Sequence, residues 1–172
     1  TMLTAYGRCG EESIFTLAAL RAVGIPARQI YVPRWAHCDD NHAWIEVWVD
    51  GEWKYLGACE PEPRLNIAWF TLPVQRAMYV ESEVFGKYCG QEEIVYVNES
   101  GSGVNVTSHY TRTMSTVVQV IDEKGQAVES AKVEYKIFNY GEFYPVVTLY
   151  SDVNGETSLT LGKGDIFVWA EK

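Results

Sequence analysis

A single amphipathic helix at the front of the chain, followed by strand after strand, is the feature that most constrains the fold. Residues 9–23, CGEESIFTLAALRAV, place Ile14, Leu17, Ala18 and Arg21 on one side, with Phe15 and Leu20 widening the apolar stripe. Gly24 stops this helix and Pro26 follows two residues later. Gly7 lets the chain turn sharply into the first helical residues, and Glu11 and Glu12 suit the positive end of the helix dipole. Next come a short strand, ARQIYV (27–32), and the strictly alternating HAWIEVWVD (42–50). Gly51-Glu52 is a hairpin signal, and a return strand runs from Trp53 to Leu56. One helix followed by antiparallel strands is an α+β pattern, not a βαβ array.

From about Arg112 the composition changes. STVVQVID, AKVEYKIF, VVTLYS, ETSLTL and DIFVWA are rich in β-branched and aromatic residues, and turn signals such as Asn154-Gly155 and Lys163-Gly164 separate them. Strands at that spacing predict a small β-sandwich of roughly 60 residues. The polar stretch NESGSGVNVTSH, 98–109, reads as the linker, which gives two domains, 1–107 and 108–172. Between them, EPEPRLNIAWFTLPVQRAMYVESEVFGKY is too irregular for a long helix and too apolar for a disordered linker; it is expected to wrap the first domain and close its core.

Charge and composition exclude several function classes. A net charge of −9 argues against nucleic acid as a partner, because that needs a basic footprint. No stretch approaches the roughly 18 consecutive apolar residues of a membrane-spanning helix, so membrane insertion is not expected. The opening TMLTAYGRCG has neither a basic n-region nor an apolar h-region; a signal peptide is absent or was removed with whatever preceded Thr1. Cys9, Cys38, Cys59 and Cys89 form no CxxC pair, and the chain is long enough to bury a core without disulfide staples. The triplets Asn98-Glu99-Ser100 and Asn105-Val106-Thr107 matter for glycosylation only in a eukaryotic secreted protein.

Cys9 sits where the helix begins. A thiol attacks only as thiolate, and a helix N-terminus favours that charge. A neutral imidazole must then lie within reach to take the proton. His42 opens a strand 33 residues later, after a loop long enough to bring it back over the helix. Spacing alone leaves Cys9 as readily a buried structural cysteine as a nucleophile, and His42 as readily a satisfied core or surface histidine as a base.

The joint pattern is more specific. GRCGEESIFTLAALRAVGIPARQIYV followed by NHAWIEVWVDGEWKYLGACE resembles the transglutaminase-like superfamily, including its peptide N-glycanase relatives. The shared signature is a helix-capping Cys with a following Glu, an alanine-rich helix ending in G-[IF]-x-A-R, then H-x-W-x-E-V and G-x-W. Cys9, Glu12, Gly24–Arg28, His42-Ala43-Trp44, Glu46-Val47 and Gly51-Glu52-Trp53 fall in that order. The resemblance covers residues 7–61. It implies a papain-like α+β core and a Cys-His-acid triad acting on amide carbonyls through a thioester, with no cofactor. Where the family's aspartate would stand this chain has Gly57; Glu60 is the nearest carboxylate, with Asp39, Asp40 or no carboxylate as alternatives.

Only eight residues precede Cys9, where the family carries supporting helices, so the chain reads as a piece of a longer protein with an upstream domain. The backbone N–H of Cys9 is one oxyanion donor, and Thr4 or Tyr6 is the candidate for the other. Trp44 shares the His42 face of its strand and is taken with Trp35 as lining a substrate groove, while Trp48 is assigned to the core. His37, Cys38, Asp39, Asp40 and His42 are ligand-like residues without structural-zinc spacing, so no metal is expected. The β domain is similar to carboxypeptidase regulatory-like, transthyretin-like modules, which implies an accessory role in a secreted, periplasmic or cell-surface protein, with bacterial origin favoured. The resulting expectation is a transglutaminase-like cysteine hydrolase or acyltransferase of peptide, protein or glycopeptide substrates, with Cys9, His42 and Glu60 catalytic. A non-catalytic interaction protein keeping the fold around a decayed site is the rival.

Overall fold

The computed structural model describes Leu3 and residues 6–172. One α-helix, α1 (Cys9–Ala22), leads into β1 (Ala27–Val32), β2 (His42–Val49) and β3 (Glu52–Leu56). After two short 3₁₀ turns (Trp69–Thr71 and Pro73–Arg76) come β4 (Glu81–Phe85), β5 (Glu93–Val97) and β6 (Gly101–Asn105). These six strands form one antiparallel sheet in the order β3-β2-β1-β4-β6-β5.

Local chemistry sets the ends of α1. The Glu11 carboxylate accepts the Arg8 N–H at 2.8 Å, filling an orphan donor of the first turn. At the other end Gly24 takes φ +83, which lets Ile25 N–H reach back to the Leu20 carbonyl at 3.0 Å. The helix packs on β1–β3 through Leu17 and Leu20, against Ala27, Ile45 and Val47. This corrects the expected stripe: Ser13 and Leu17 are buried, while Ile14 and Phe15 are exposed. The ridge at 13, 17 and 20 faces the sheet, and 14 and 15 are rotated off it.

The opposite face of the sheet carries a second core of Ile30, Val32, Trp44, Phe70, Val80 and Val104, among others. The irregular run after β3 supplies Phe70, Val74 and Ala77 to it, so this segment does close the core. The stretch 98–109, in contrast, is no linker. Gly101–Asn105 is β6, wholly buried and hydrogen-bonded between β4 and β5. Its glycines are there for closeness: a Cβ on Gly101 would lie 2.2 Å from the Val84 carbonyl oxygen, and one on Gly103 2.1 Å from the Tyr96 ring.

The rest of the chain builds β7 (Thr113–Gln119), β8 (Lys132–Asn139), β9 (Glu142–Tyr150), β10 (Glu156–Gly162) and β11 (Phe167–Glu171). A β10-β7 pair and a β11-β8-β9 sheet share one core of Val133, Tyr135, Ile137, Val147, Leu159 and Leu161, which makes a small all-β sandwich. Tyr135 Oη and Thr157 Oγ1, 2.8 Å apart, bond across the two sheets. Met78 and Tyr79, from the segment leading into β4, belong to this same core. The two lobes are further tied by Gly162 N–H to the Met78 carbonyl at 2.8 Å and by Asn105 Nδ2 to the Thr160 carbonyl at 2.7 Å.

Candidate functional site

Cys9 is the first residue of α1 and only partly buried. It opens on a cleft of about 330 Å³ with Arg8, Gly10, Glu11, Tyr31 and Asn41 in its walls. His42 follows Asn41 directly as the first residue of β2, so the base candidate sits one residue from that cleft. Among the described residues no hydrogen bond joins Cys9 to His42.

The imidazole is enclosed by aromatic rings. Trp69 lies 4.8 Å away centroid to centroid, Phe70 5.0 Å, and Trp44 is stacked at 5.8 Å. Only 6% of His42 is exposed, and its Nε2 is buried without a hydrogen-bond partner. Burial pushes its pKa down to about 4, with the Asp40 charge opposing, so the ring is neutral at pH 7. Nε2 points toward Glu60, whose Oε1 is 4.0 Å away. That oxygen is already bonded by the Trp69 indole N–H.

Gly57 and Glu60 are in close contact within one loop. A Cβ built on Gly57 would stand 3.4 Å from Glu60 Oε1 and 3.3 Å from the Glu60 carbonyl oxygen. The loop therefore sets the Glu60 carboxylate next to the place where a side chain at 57 would begin. An alanine there would meet that carboxylate at ordinary contact distance and the Glu60 carbonyl slightly more tightly. Cys59, beside it, has its thiol pushed up to about 11 by desolvation, then by the charges of Glu60, Glu12, Cys9 and Glu11. This loop and the start of α1 lie within electrostatic reach of each other.

Both groove candidates are corrected by burial. Trp35 is 2% exposed and Trp44 fully buried, its indole N–H donating to Tyr110 Oη at 2.9 Å. Strand β2 is internal and covered on both faces, so the two-residue period marks two interiors and not an inside and an outside. Trp48, assigned to the core, is instead 45% exposed and packs edge-on to Trp53. Trp69 and Phe70 are the residues that sequence reasoning missed; the adjacent Trp-Phe pair in an otherwise irregular run was the available signal. Asp39 is engaged elsewhere, accepting the Tyr140 N–H at 2.8 Å. Among the described residues no three His, Cys, Asp or Glu side chains gather to hold a metal ion. Of the oxyanion candidates, Thr4 lies outside the described residues and Tyr6 is exposed.

The motif positions Arg28 and Glu46 have a structural explanation. They are cross-strand partners in β1 and β2, with Arg28 Nε bonded to Glu46 Oε2 at 2.7 Å in nearly complete burial. Tyr110 Oη donates to Glu46 Oε1 at 2.5 Å, and Arg28 also reaches Glu92 at 3.1 Å. Burial would raise the Glu46 pKa, but His109, Arg28 and Tyr110 together hold it below the ordinary carboxylate value.

The model of the transglutaminase-like superfamily matches residues 1–58. That is about a third of the chain. The match takes in Cys9, the Arg28–Glu46 pair, His42 and the β2–β3 hairpin, and it stops before Glu60. No curated protein and no solved structure matches the chain. Among the described residues no helix is long and apolar enough to cross a membrane.

Proposed function

We propose that the chain performs thiol-dependent acyl transfer on peptide or glycopeptide amides, with Cys9 as nucleophile, His42 as base and then acid, and Glu60 as the orienting carboxylate. The observation that carries this reading is the Gly57–Glu60 exchange. The carboxylate stands beside the position from which a side chain at 57 would extend, 4.0 Å from the one ring nitrogen of His42 that is buried and unbonded. The family match over residues 1–58 supports the Cys and His assignments.

Because the resting imidazole is neutral, it is able to accept the Cys9 proton. Sulfur adds to the carbonyl carbon as His42 takes the proton, and the resulting imidazolium faces Glu60. The tetrahedral intermediate then expels the amine, to which His42 returns the proton, leaving a Cys9 thioester. Water, deprotonated by the same ring, cleaves the thioester and regenerates the thiol. Hydrolysis is favoured over cross-linking. The sandwich lobe is an accessory module resembling carboxypeptidase regulatory-like domains, and the protein acts outside the cytoplasm.

The rival reading, a fold retained for binding, is favoured by the missing Cys9–His42 hydrogen bond and by the tight aromatic enclosure of the ring. Alkylation by iodoacetamide at pH 6.5, mapped by mass spectrometry, separates the two. An active site gives Cys9 a rate about tenfold or more above that of the exposed Cys89, lost in His42→Ala and lowered in Glu60→Gln. Cys59, with its thiol near 11, stays unmodified in the same samples. A Cys9 rate equal to that of Cys89 and indifferent to His42→Ala would establish the binding reading instead.

A further inference from the structure

The loop that delivers His42 is held by the other lobe. Residues 33–41 connect β1 to β2 and run against the turn between β8 and β9. Asn139, the last residue of β8, is 1% exposed and spends both amide hydrogens on this loop. Its Nδ2 donates to the Trp35 carbonyl at 2.9 Å and to the Cys38 carbonyl at 2.8 Å. The next residue donates its backbone N–H to Asp39 Oδ1 at 2.8 Å. Arg34 completes the seam, its guanidinium 3.9 Å from the centre of the Tyr144 ring.

The turn itself carries cost that its own hairpin does not require. Tyr140 and Gly141 have φ of +51 and +80, the pair of left-handed residues of a two-residue hairpin loop. The first of these positions is normally Asn, Asp or Gly, and an aromatic side chain there is strained. The Asn139 Oδ1 is also buried without a partner. A strained turn and an unpaired buried oxygen coincide where three hydrogen bonds cross to Trp35, Cys38 and Asp39 of the loop that leads into His42.

We propose that the β8–β9 turn is part of the thiol site, with Asn139 as the positioning residue that fixes the 33–41 loop and hence His42 against Cys9. The inference rests on the acyl-transfer reading for its catalytic meaning, though not for its geometry. Without those bonds the loop lifts, Asn41 leaves the wall of the Cys9 cleft, and water reaches an imidazole that otherwise packs among Trp44, Trp69 and Phe70, with the charges of Asp40 and Glu60 facing it. The second lobe is then a working wall of the site.

The test uses the full chain and two readouts, the His42 titration midpoint by NMR and the Cys9 alkylation rate with iodoacetamide. Asn139→Asp removes both donors at constant size and sets a carboxylate against two carbonyls. Asp39→Ala removes the acceptor of the Tyr140 N–H from the exposed side, whereas Asp39→Asn keeps an oxygen there. Asn139→Asp and Asp39→Ala are expected to raise the His42 midpoint by about one unit or more and to slow Cys9 about tenfold, with Asp39→Asn restoring both. Folded variants with wild-type midpoint and rate would overturn the proposal. Should Asn139→Asp fail to fold, the Asp39 pair decides. If alkylation in the wild type proves independent of His42, the acyl-transfer reading falls, and the titration alone still decides whether the turn holds the loop.

Discussion

The aromatic enclosure of His42 makes a quantitative claim about acid stability. Burial holds the imidazole near 4 in the folded protein, against about 6.5 in the unfolded chain. The folded pKa lies below the unfolded one, so protons bind the unfolded state more tightly. The enclosure's contribution is complete above about pH 6.5 and is lost as pH falls toward 4. Integrating that difference, the wild type loses about 2 kcal/mol by pH 5 and about 3 kcal/mol by pH 4 relative to pH 7.5, on account of this one ring. His42→Leu removes the titration while keeping an apolar occupant. Urea unfolding of both proteins at pH 7.5, 5 and 4 isolates the effect, because every other group titrates in both. Glu81 is one such group: burial lifts its carboxyl to about 7, so it adds stability as pH falls, and it cancels in the comparison. The wild type should lose the calculated amount more than His42→Leu. Parallel losses in the two proteins would refute the reasoning, since they require an imidazole that water already reaches.

Two further outcomes follow from the packing. Gly162→Ala would drive a Cβ to within 2.0 Å of the Ala77 carbonyl oxygen, and should destabilise the whole chain by about 2–3 kcal/mol in a thermal melt, with both lobes unfolding in one transition. Arg28→Met strips the guanidinium from the buried Glu46 and from Glu92, and should cost about 3–5 kcal/mol at pH 8; a double-mutant cycle with Glu46→Gln recovers part of it.

The parts of the fold written in local periodicity were readable. The start of α1, the β2–β3 hairpin and five strands after Arg112 each announce themselves through alternation or a turn pair, and each is present. What depended on close contact was not readable. Gly101-Ser102-Gly103 has the composition of a flexible joint, yet small residues are also what a crowded central strand needs, and only the neighbouring Val84 and Tyr96 distinguish the two. Trp44 was placed in a groove because a two-residue period assumes one wet face, and β2 is covered on both faces at that position; Trp35 was placed there because no periodicity claims a loop residue, yet it is buried. In the same way Glu60 is visible in sequence merely as a carboxylate displaced from its usual station. It reaches His42 in a loop that packs it against Gly57 and bonds it to the Trp69 indole, contacts that a linear pattern does not contain.

Met78 and Tyr79 give the molecule an unusual indivisibility. Their side chains leave the first lobe and end in the sandwich's own interior, while Val80, the very next residue, faces back into the first. Cutting the gene between the lobes would not yield two smaller proteins. It would leave a sandwich with a hole the size of a methionine and a tyrosine, and a partner fragment exposing both.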